Sequence, residues 1–233
     1  NWYTSFGLQN SEEALSSFVA EQQAAVFDDT ATYNQAFHKL YDTSQPHQNA
    51  WSQMQSTYDE LVEQQHVNET AAARVVGLVI EASPDTITSD NLRMFRQLGC
   101  TKIQIGIQST RQEILDANQR QMNVAQIKRA FSLIRLYGFK IHSHLMVNLL
   151  GATPEADKQD FKTFVTDPGF LPDEIKLYPC ALVSGTQLVH KYREGAWQPY
   201  AKDELVDVLV QDVLATPPYV RISRMIRDIS ATD

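Results

Sequence analysis

Two histidines stand two residues apart in an apolar segment, a spacing that could support acid–base chemistry. His142 and His144 alternate with Ile141 and Leu145, so both imidazoles would face the same side of an extended strand. Such a pair could move protons or bind a ligand, or it could form two hydrogen-bonded interior side chains. A metal site would need a third ligand, and the sequence offers none at a suitable spacing, so we predict no metal site.

Polar residues also stand at the ends of the other apolar segments. Glu81 could accept a hydrogen bond from a ligand or cap the following turn, and Gln108 with Ser109 ends a segment that has no packing reason to be polar. Lys176 and Tyr178 share one face of the last core segment, and a buried lysine needs a partner such as Glu81 or an anionic ligand group. We interpret Lys176 and Tyr178 as candidate catalytic residues and the others as candidate ligand contacts.

Arginines recur at every third position near the end of the sequence. Arg221, Arg224 and Arg227 could line one side of a helix or lie along a strand and its exit loop, either as a solvated surface or as a contact for RNA or another domain. The two cysteines, Cys100 and Cys180, lie too far apart in sequence for a compact zinc or cluster motif. We predict that each is a small buried side chain.

Four apolar segments predict the β-strands that position these residues, at 75–81, 102–109, 140–147 and 174–179, with a possible last strand at 219–222. Helical sequence follows each, so the strands should lie parallel, with their carboxyl ends at the edge where ligands bind. Thr110 with Glu113 predicts a capping box for the helix after the second strand, and Asn123 with Gln126 predicts another.

The sequence changes character at about residue 70. Residues 10–66 show helical periodicity, with helices expected from Asn10, over 32–41 and over 50–65, so we divide the chain into a helical amino-terminal segment (1–70) that packs on an α/β unit (71–233). Four parallel strands leave open edges, and interior residues such as Ile105, Ile107, Leu145 and Met146 would face a gap. We expect the amino-terminal helices or a second copy of the chain, in a homodimer, to fill it.

Composition limits the classes of protein that remain. The 233 residues are 43% hydrophobic, enough for a sizeable core, and no apolar run approaches the roughly 18–20 residues that span a bilayer. The first residues lack the pattern of a signal peptide, so we expect a cytoplasmic protein without a membrane partner. The net charge of −8 argues against nucleic-acid binding by this chain alone.

Several motifs, in order and at matching spacing over about residues 72–230, resemble the radical S-adenosylmethionine (SAM) domain of the Elongator catalytic subunit family. They are GLVIEASPD (77–85), KIQIGIQS (102–109), GFKIHSHLM (138–146), KLYPC (176–180) and YVRISRMIRDI (219–229). The resemblance implies a partial TIM-type (β/α) barrel that binds SAM and a 4Fe-4S cluster. It also implies a following acetyltransferase domain and a tRNA substrate, modified at carbon 5 of the wobble uridine with a carboxymethyl-type group.

The resemblance places SAM at the strand ends. Gln108 and Ser109 match the position where radical SAM barrels contact the ribose, and Glu81, His142 and His144 would border the same cofactor. The family holds its cluster with three closely spaced cysteines, which this sequence lacks, and it has Arg-Pro-Asp where residues 83–85 read Ser-Pro-Asp. We therefore expect the 233 residues alone to be inactive, as part of a tRNA-modifying enzyme. The alternatives are a degenerate scaffold that acts as a binding or regulatory module, and an unrelated α/β enzyme that uses the strand-end His and Glu residues.

Overall fold

A computed structural model describes residues 12–28, 30–31, 35–36, 39, 56–183 and 185–226. The chain forms two compact units, one made of Asn1–Gln64 with Leu182–Gly195 and Asp233, and one made of Gln65–Ala181 with Ala196–Thr232. The helix expected at 32–41 and the start of the one expected at 50–65 lie mostly outside the described residues. The packing of residues 1–70 on the sheet therefore stays a prediction.

Eight α-helices are described, together with a 3-10 turn at Pro84–Thr86. They are α1 (Glu12–Phe27), α2 (Tyr58–Thr70), α3 (Ser89–Gln97), α4 (Gln112–Ala117), α5 (Val124–Leu136), α6 (Pro154–Thr166), α7 (Gln187–Arg193) and α8 (Lys202–Ala215). The first unit contains α1, α7 and the first part of α2, and its buried residues include Gln22 and Ala36.

The second unit contains one sheet of five parallel strands in sequential order. The strands are β1 (Val79–Ala82), β2 (Lys102–Gln108), β3 (Lys140–Val147), β4 (Glu174–Pro179) and β5 (Arg221–Arg224). The predicted α/β class and parallel strand direction are confirmed. The first strand begins four residues later than predicted, because Val75 and Val76 are exposed and unpaired with β2, and the last strand lies two residues further along than predicted.

Local sequence explains where the helices around the sheet begin. The Asn123–Gln126 capping box starts α5 as predicted, and Thr153 caps α6 just ahead of Pro154. The capping box predicted for Thr110 and Glu113 is wrong, because α4 begins after Arg111 and the Thr110 side chain is bonded elsewhere.

The apolar core lies between one face of the sheet and its helices. Its strand members and the helix residues in the same cluster are Ile103, Ile105, Ile107, Ile141, Leu145, Val147, Ile175 and Leu177, with Leu92, Ile127, Phe131, Ile134, Phe161, Phe164 and Val208. The expectation that Ile105, Ile107 and Leu145 face a gap is therefore wrong, because alternation along the strands turns them toward the helices. Met146 has the opposite parity from Leu145 and points to the other face.

Candidate functional site

The face of the sheet that points away from the core is polar. We call it the polar face and define it by Glu81, Lys102, Gln104, Gly106, Gln108, His142, His144, Met146, Glu174, Lys176 and Tyr178. Strand register aligns Glu81, Gln104, His142, Glu174 and Arg221 in one row across all five strands. Six of the seven residues predicted as catalytic or cofactor-binding therefore lie on the polar face, with Gln108 at its carboxyl end.

Gln104 links the two sides of the polar face. Its side-chain amide donates to Glu81 Oε2 at 2.7 Å, and its carbonyl oxygen accepts from Lys176 Nζ at 3.1 Å. The direct Lys176–Glu81 pair suggested by the sequence is therefore mediated by Gln104. Sequence reasoning missed this residue, although its alternation with Ile103 and Ile105 indicates a side chain that faces away from the apolar layer.

Glu174 is the centre of the charged part of the polar face. Its carboxylate lies 2.6 Å from Lys102 Nζ and 3.5 Å from both His142 Nδ1 and Arg221 Nη1. Burial raises the pKa of Glu174, but the hydrogen bond from Lys102 and the neighbouring positive charges outweigh it, and the pKa is lowered overall. The carboxylate is therefore ionised at neutral pH and contacts residues of three other strands, β2, β3 and β5.

His142 is held in its neutral form. The residue is 7% exposed, and burial lowers its pKa to about 4 despite the nearby charge of Glu174. The imidazole lies 3.0 Å from the Ser223 hydroxyl on β5. Because it is neutral, its contact with Glu174 is not an ion pair near pH 7. His142 is therefore bonded within the sheet and acts there as a satisfied polar residue.

His144 differs from His142 because one of its nitrogens has no partner. Burial lowers the pKa of His144, and its Nε2 is buried without a hydrogen-bond partner among the residues that the structure describes. Its ring packs edge-on against His142 and Tyr178, with ring centres 5.9 Å and 6.1 Å apart. Buried polar atoms are nearly always bonded, so a vacant Nε2 marks a position where a bound molecule could donate or accept.

Gly106 makes a notch in the polar face beside His144. A methyl group added there would lie 3.0 Å from Gln108 Nε2 and 3.9 Å from His144 Nδ1. A glycine inside a central strand commonly marks a close approach of another group to the backbone. The Gln108 amide and the Nδ1 edge of the His144 ring thus both border the notch.

Two strands end in the same unusual backbone conformation. Gln108 at the end of β2 has φ 69°, and Asn148 just after β3 has φ 62°. Left-handed conformations are costly for residues other than glycine and cluster at functional sites. A buried carboxylate of α6 binds each of these strand ends: Asp160 binds the two residues after Gln108, and Asp157 binds the Asn148 amide. Sequence reasoning missed both carboxylates.

Ser109 is turned away from the polar face. It is buried, and its hydroxyl donates to Asp160 Oδ2 at 2.5 Å, while the Thr110 amide and hydroxyl donate to Asp160 Oδ1, the amide at 2.9 Å. The predicted contact between Ser109 and a cofactor stays a prediction, and the hydroxyl is already bonded on the helix side of the sheet.

Asp157, one turn before Asp160, holds the loop after β3. Its Oδ2 accepts from the Asn148 amide at 2.7 Å and from the Tyr200 hydroxyl at 2.8 Å, while the Trp197 indole donates to the Asn148 carbonyl. Burial raises the pKa of Asp157 to about 6 and raises the pKa of Asp160 as well. The carboxylates at 157 and 160 share helical spacing with Phe161 and Phe164, a pattern that could have shown that they face the core.

Arg120 is a second residue that sequence reasoning missed. Its Nη2 donates to the Gly106 carbonyl at 3.3 Å, and its buried Nε has no partner in the described part of the chain. A guanidinium with an unused donor near the end of β2 can take a carboxylate or a phosphate. No sequence motif singled it out, because it stands in the turn between α4 and α5.

The remaining predicted residues lie at the margins. Arg221 and Arg224 are exposed on β5, and Arg227 lies outside the described residues, so their assignment to RNA or domain contact stays a prediction. Cys100 is buried and Cys180 half-buried, and neither forms a disulfide. Within the described ranges, no group of three potential ligands could hold a metal ion, and no helix is long and apolar enough to cross a membrane.

The open parallel sheet with helices on one face and polar residues on the other is that of a partial radical SAM (β/α) barrel. The model of the radical SAM superfamily matches residues 50–164, and that of the radical SAM C-terminal domain matches residues 172–233. An archaeal Elp3 structure from Methanocaldococcus infernus, with an N-terminal deletion, superposes with a TM-score of 0.69 at 37% identity, covering 73% of this chain and 40% of that one.

Curated relatives agree with these matches. A tRNA uridine(34) acetyltransferase of M. infernus is 38% identical over 172 residues, and human Elongator complex protein 3 is 30% identical over 173 residues. Each alignment covers 74% of this chain and 32% of the relative, so the chain spans about a third of the length of these proteins. The chain belongs to the radical SAM superfamily, within the family of Elongator protein 3 and the tRNA uridine(34) acetyltransferases.

Proposed function

We propose that the polar face binds SAM and that the chain is the barrel part of a tRNA-modifying enzyme of the Elongator type. SAM presents an adenine, ribose hydroxyls, an ammonium and a carboxylate, and each needs a polar partner when it leaves water. The observation that carries the proposal is the His144 ring, whose Nδ1 borders the Gly106 notch and whose buried Nε2 has no partner among the described residues. The family relationship supports the same assignment.

The residues divide by position on the polar face. Glu81 would accept hydrogen bonds from the ribose or the ammonium, and Gln108 would donate to the ribose. His144 would bind the ligand through its Nε2, and its ring is held edge-on against His142. The backbone at Ser109 would border the same ligand. Arg120 supplies a donor suited to a carboxylate.

Lys176 and Tyr178 lie on the neighbouring strand and are the residues we propose to contact the substrate. Lys176 keeps one hydrogen bond to Gln104, which leaves further ammonium donors for an anionic group. Tyr178 packs on His144 and can place its hydroxyl beside the reacting part of the substrate. We propose a tRNA with its wobble uridine as that substrate, by analogy with the related tRNA uridine(34) acetyltransferases. Arg221 and Arg224 would be additional phosphate contacts.

The 4Fe-4S cluster implied by the family does not fit the cysteines of this sequence. Cluster binding needs several thiolates close together, whereas Cys100 lies in the apolar core and burial raises the pKa of Cys180. We derive no electron-transfer step from them. We expect the 233 residues alone to show no reductive cleavage of SAM and to bind it weakly. The acetyltransferase domain, the Elongator partners and a cytoplasmic setting are proposals that rest on the family.

Calorimetry with SAM tests the proposed site. His144→Ala and Gln108→Ala should each weaken binding by about tenfold, the effect of losing one buried hydrogen bond. His66→Ala is the matched control, because its imidazole is exposed on α2, where it pairs with Glu69, so affinity should stay within about twofold. Equal affinity of the parent, His144→Ala and Gln108→Ala would place SAM elsewhere, and absence of any binding would remove the proposal for this chain.

A further inference from the structure

Two buried carboxylates on one turn of α6 hold two different strand-end loops from behind the sheet. Asp160 binds the loop after β2 through Ser109 and Thr110, and Asp157 binds the loop after β3 through the Asn148 amide. Both carboxylates are less than a tenth exposed. Because they are one helical turn apart on one rigid element, their separation fixes the spacing of the two loops.

The two loops are also the places where the backbone is left-handed. Gln108 precedes the two residues that Asp160 binds, and Asn148 itself donates its amide to Asp157. A residue other than glycine keeps such a conformation only where its surroundings determine it. Asp160 accepts from the Thr110 amide and Asp157 from the Asn148 amide, so the α6 carboxylates supply that determination.

The geometry of Gln108 connects these anchors to the polar face. Its side chain lies next to the Gly106 notch, which His144 also borders, while the residue after it is bonded to Asp160 on the opposite side of the sheet. If the loop turned to an ordinary extended conformation, the Gln108 amide would leave the notch. The anchor on the helix side thus determines where a ligand-facing group points.

We infer that Asp157 and Asp160 are positioning residues that set the strand-end loops at 108–110 and 148 for a ligand on the polar face. Neither residue touches the ligand. The inference rests on the proposed function only in naming SAM as that ligand. The anchoring itself concerns this chain's own loops and is measured without SAM.

Amide hydrogen exchange on the 233-residue chain separates local positioning from general stability. Asp160→Ala should speed exchange of the Thr110 and Arg111 amides by about tenfold or more. The Thr110 amide loses its acceptor, and the Arg111 amide is bonded to the Ser109 hydroxyl, which Asp160 holds in place. Exchange of the Asn148 amide should stay within about twofold of the parent. Asp157→Ala should give the reverse pattern. A merely structural role would speed exchange at both loops equally.

Two further variants keep the test decisive. Asp207→Ala removes an exposed carboxylate of α8 that pairs with Lys158 of α6 and touches neither loop, so both loops should exchange as in the parent. If either alanine variant fails to fold, the corresponding asparagine variant keeps the side-chain size and should show the same selectivity with about a threefold change. Uniform changes in both loops, or none, would overturn the inference.

Addition of SAM then tells the two proposals apart. In the parent, SAM should slow exchange in both loops. In Asp160→Ala, that protection should be lost at 108–111 and kept at 148. If SAM changes nothing in the parent while the reciprocal pattern of the variants holds, the proposed function fails and the positioning role stands. If SAM protects the parent and the variants equally, the positioning role is wrong and the SAM site stands.

Discussion

The two faces of the same sheet are built from alternate residues of the same strands and are held together differently. In β2, Ile103, Ile105 and Ile107 are fully buried in one apolar layer, whereas Lys102 and Gln104 bond to residues two strands away. The apolar face depends on area and packing, and each contact can be replaced by a similar one. The polar face depends on particular partners, so its residues are specified one by one.

The largest effect should come from the apolar face. Ile105→Ala removes a fully buried side chain from the core and should lower the free energy of unfolding by about 3 kcal/mol through lost burial and the cavity it leaves. Urea denaturation of the parent and the variant measures this. A loss below about 1 kcal/mol would mean that the helix layer collapses around the cavity and that the two faces differ less than the structure indicates.

An unpaired carboxyl in the helix layer should give the next largest effect. Asp212 on α8 is 1% exposed and neither oxygen has a partner among the described residues. Burial, with the charges of Asp157 and Asp160, raises its pKa to about 8, although Lys158 acts in the opposite direction. Asp212→Asn should therefore stabilise the chain at alkaline pH by roughly 2 kcal/mol.

The sign of the pH dependence follows from the direction of that shift. The folded state holds a proton on Asp212 that the unfolded state releases above its ordinary pKa of 3.8, so stability falls as the pH rises toward 8. Unfolding measured between pH 6.5 and 8 should show this fall in the parent and a flatter profile in Asp212→Asn. Parallel profiles would show that Asp212 is solvated or bonded.

His142 on the polar face should produce the opposite dependence. Its folded-state pKa of about 4 lies below the ordinary 6.5, so the unfolded state takes up a proton first and stability is lost as the pH falls from 6.5 to 4. His142→Gln should remove about 1–2 kcal/mol of that acid sensitivity. One pH series of both variants would assign the loss of stability in acid to His142 on the polar face and the loss of stability at alkaline pH to Asp212 in the helix layer. Unchanged acid sensitivity in His142→Gln would show that the imidazole is protonated in the folded chain.

The smallest effect on stability should come from Gln104. Gln104→Ala removes two hydrogen bonds on a half-buried surface, and water can replace both, so the free energy of unfolding should fall by about 0.5–1 kcal/mol. Its consequence should be local, since Lys176 loses its described partner. A loss as large as that of Ile105→Ala would mean that the network, and not only the core, holds the sheet.

The periodic part of the sequence predicted the strands and grouped polar residues on them, but it did not predict which side the apolar residues face, since Ile105, Ile107 and Leu145 pack against the helices and not toward a gap. Alternation placed His142, His144, Lys176 and Tyr178 together, because parity in a strand determines the side of the sheet. It could not show that Gln104 joins two of them or that the Ser109 hydroxyl turns away, since both depend on register between strands and on left-handed turns. Asp157 and Asp160 lie in α6, for which the sequence predicted the boundaries but not the contacts of its buried carboxylates.

The sequential order of the five strands has a consequence for how the chain acquires its structure during synthesis. Each strand pairs with the one made just before it, at a separation of about 20 to 50 residues, so no strand must wait for a distant segment. The sheet can grow from β1 to β5 as the polypeptide leaves the ribosome, and each added helix can cover the newest strand. The loop anchors on α6 would then form as soon as α6 follows β2 and β3, so the loops at 108–110 and 148 would be held before β4 and β5 are made.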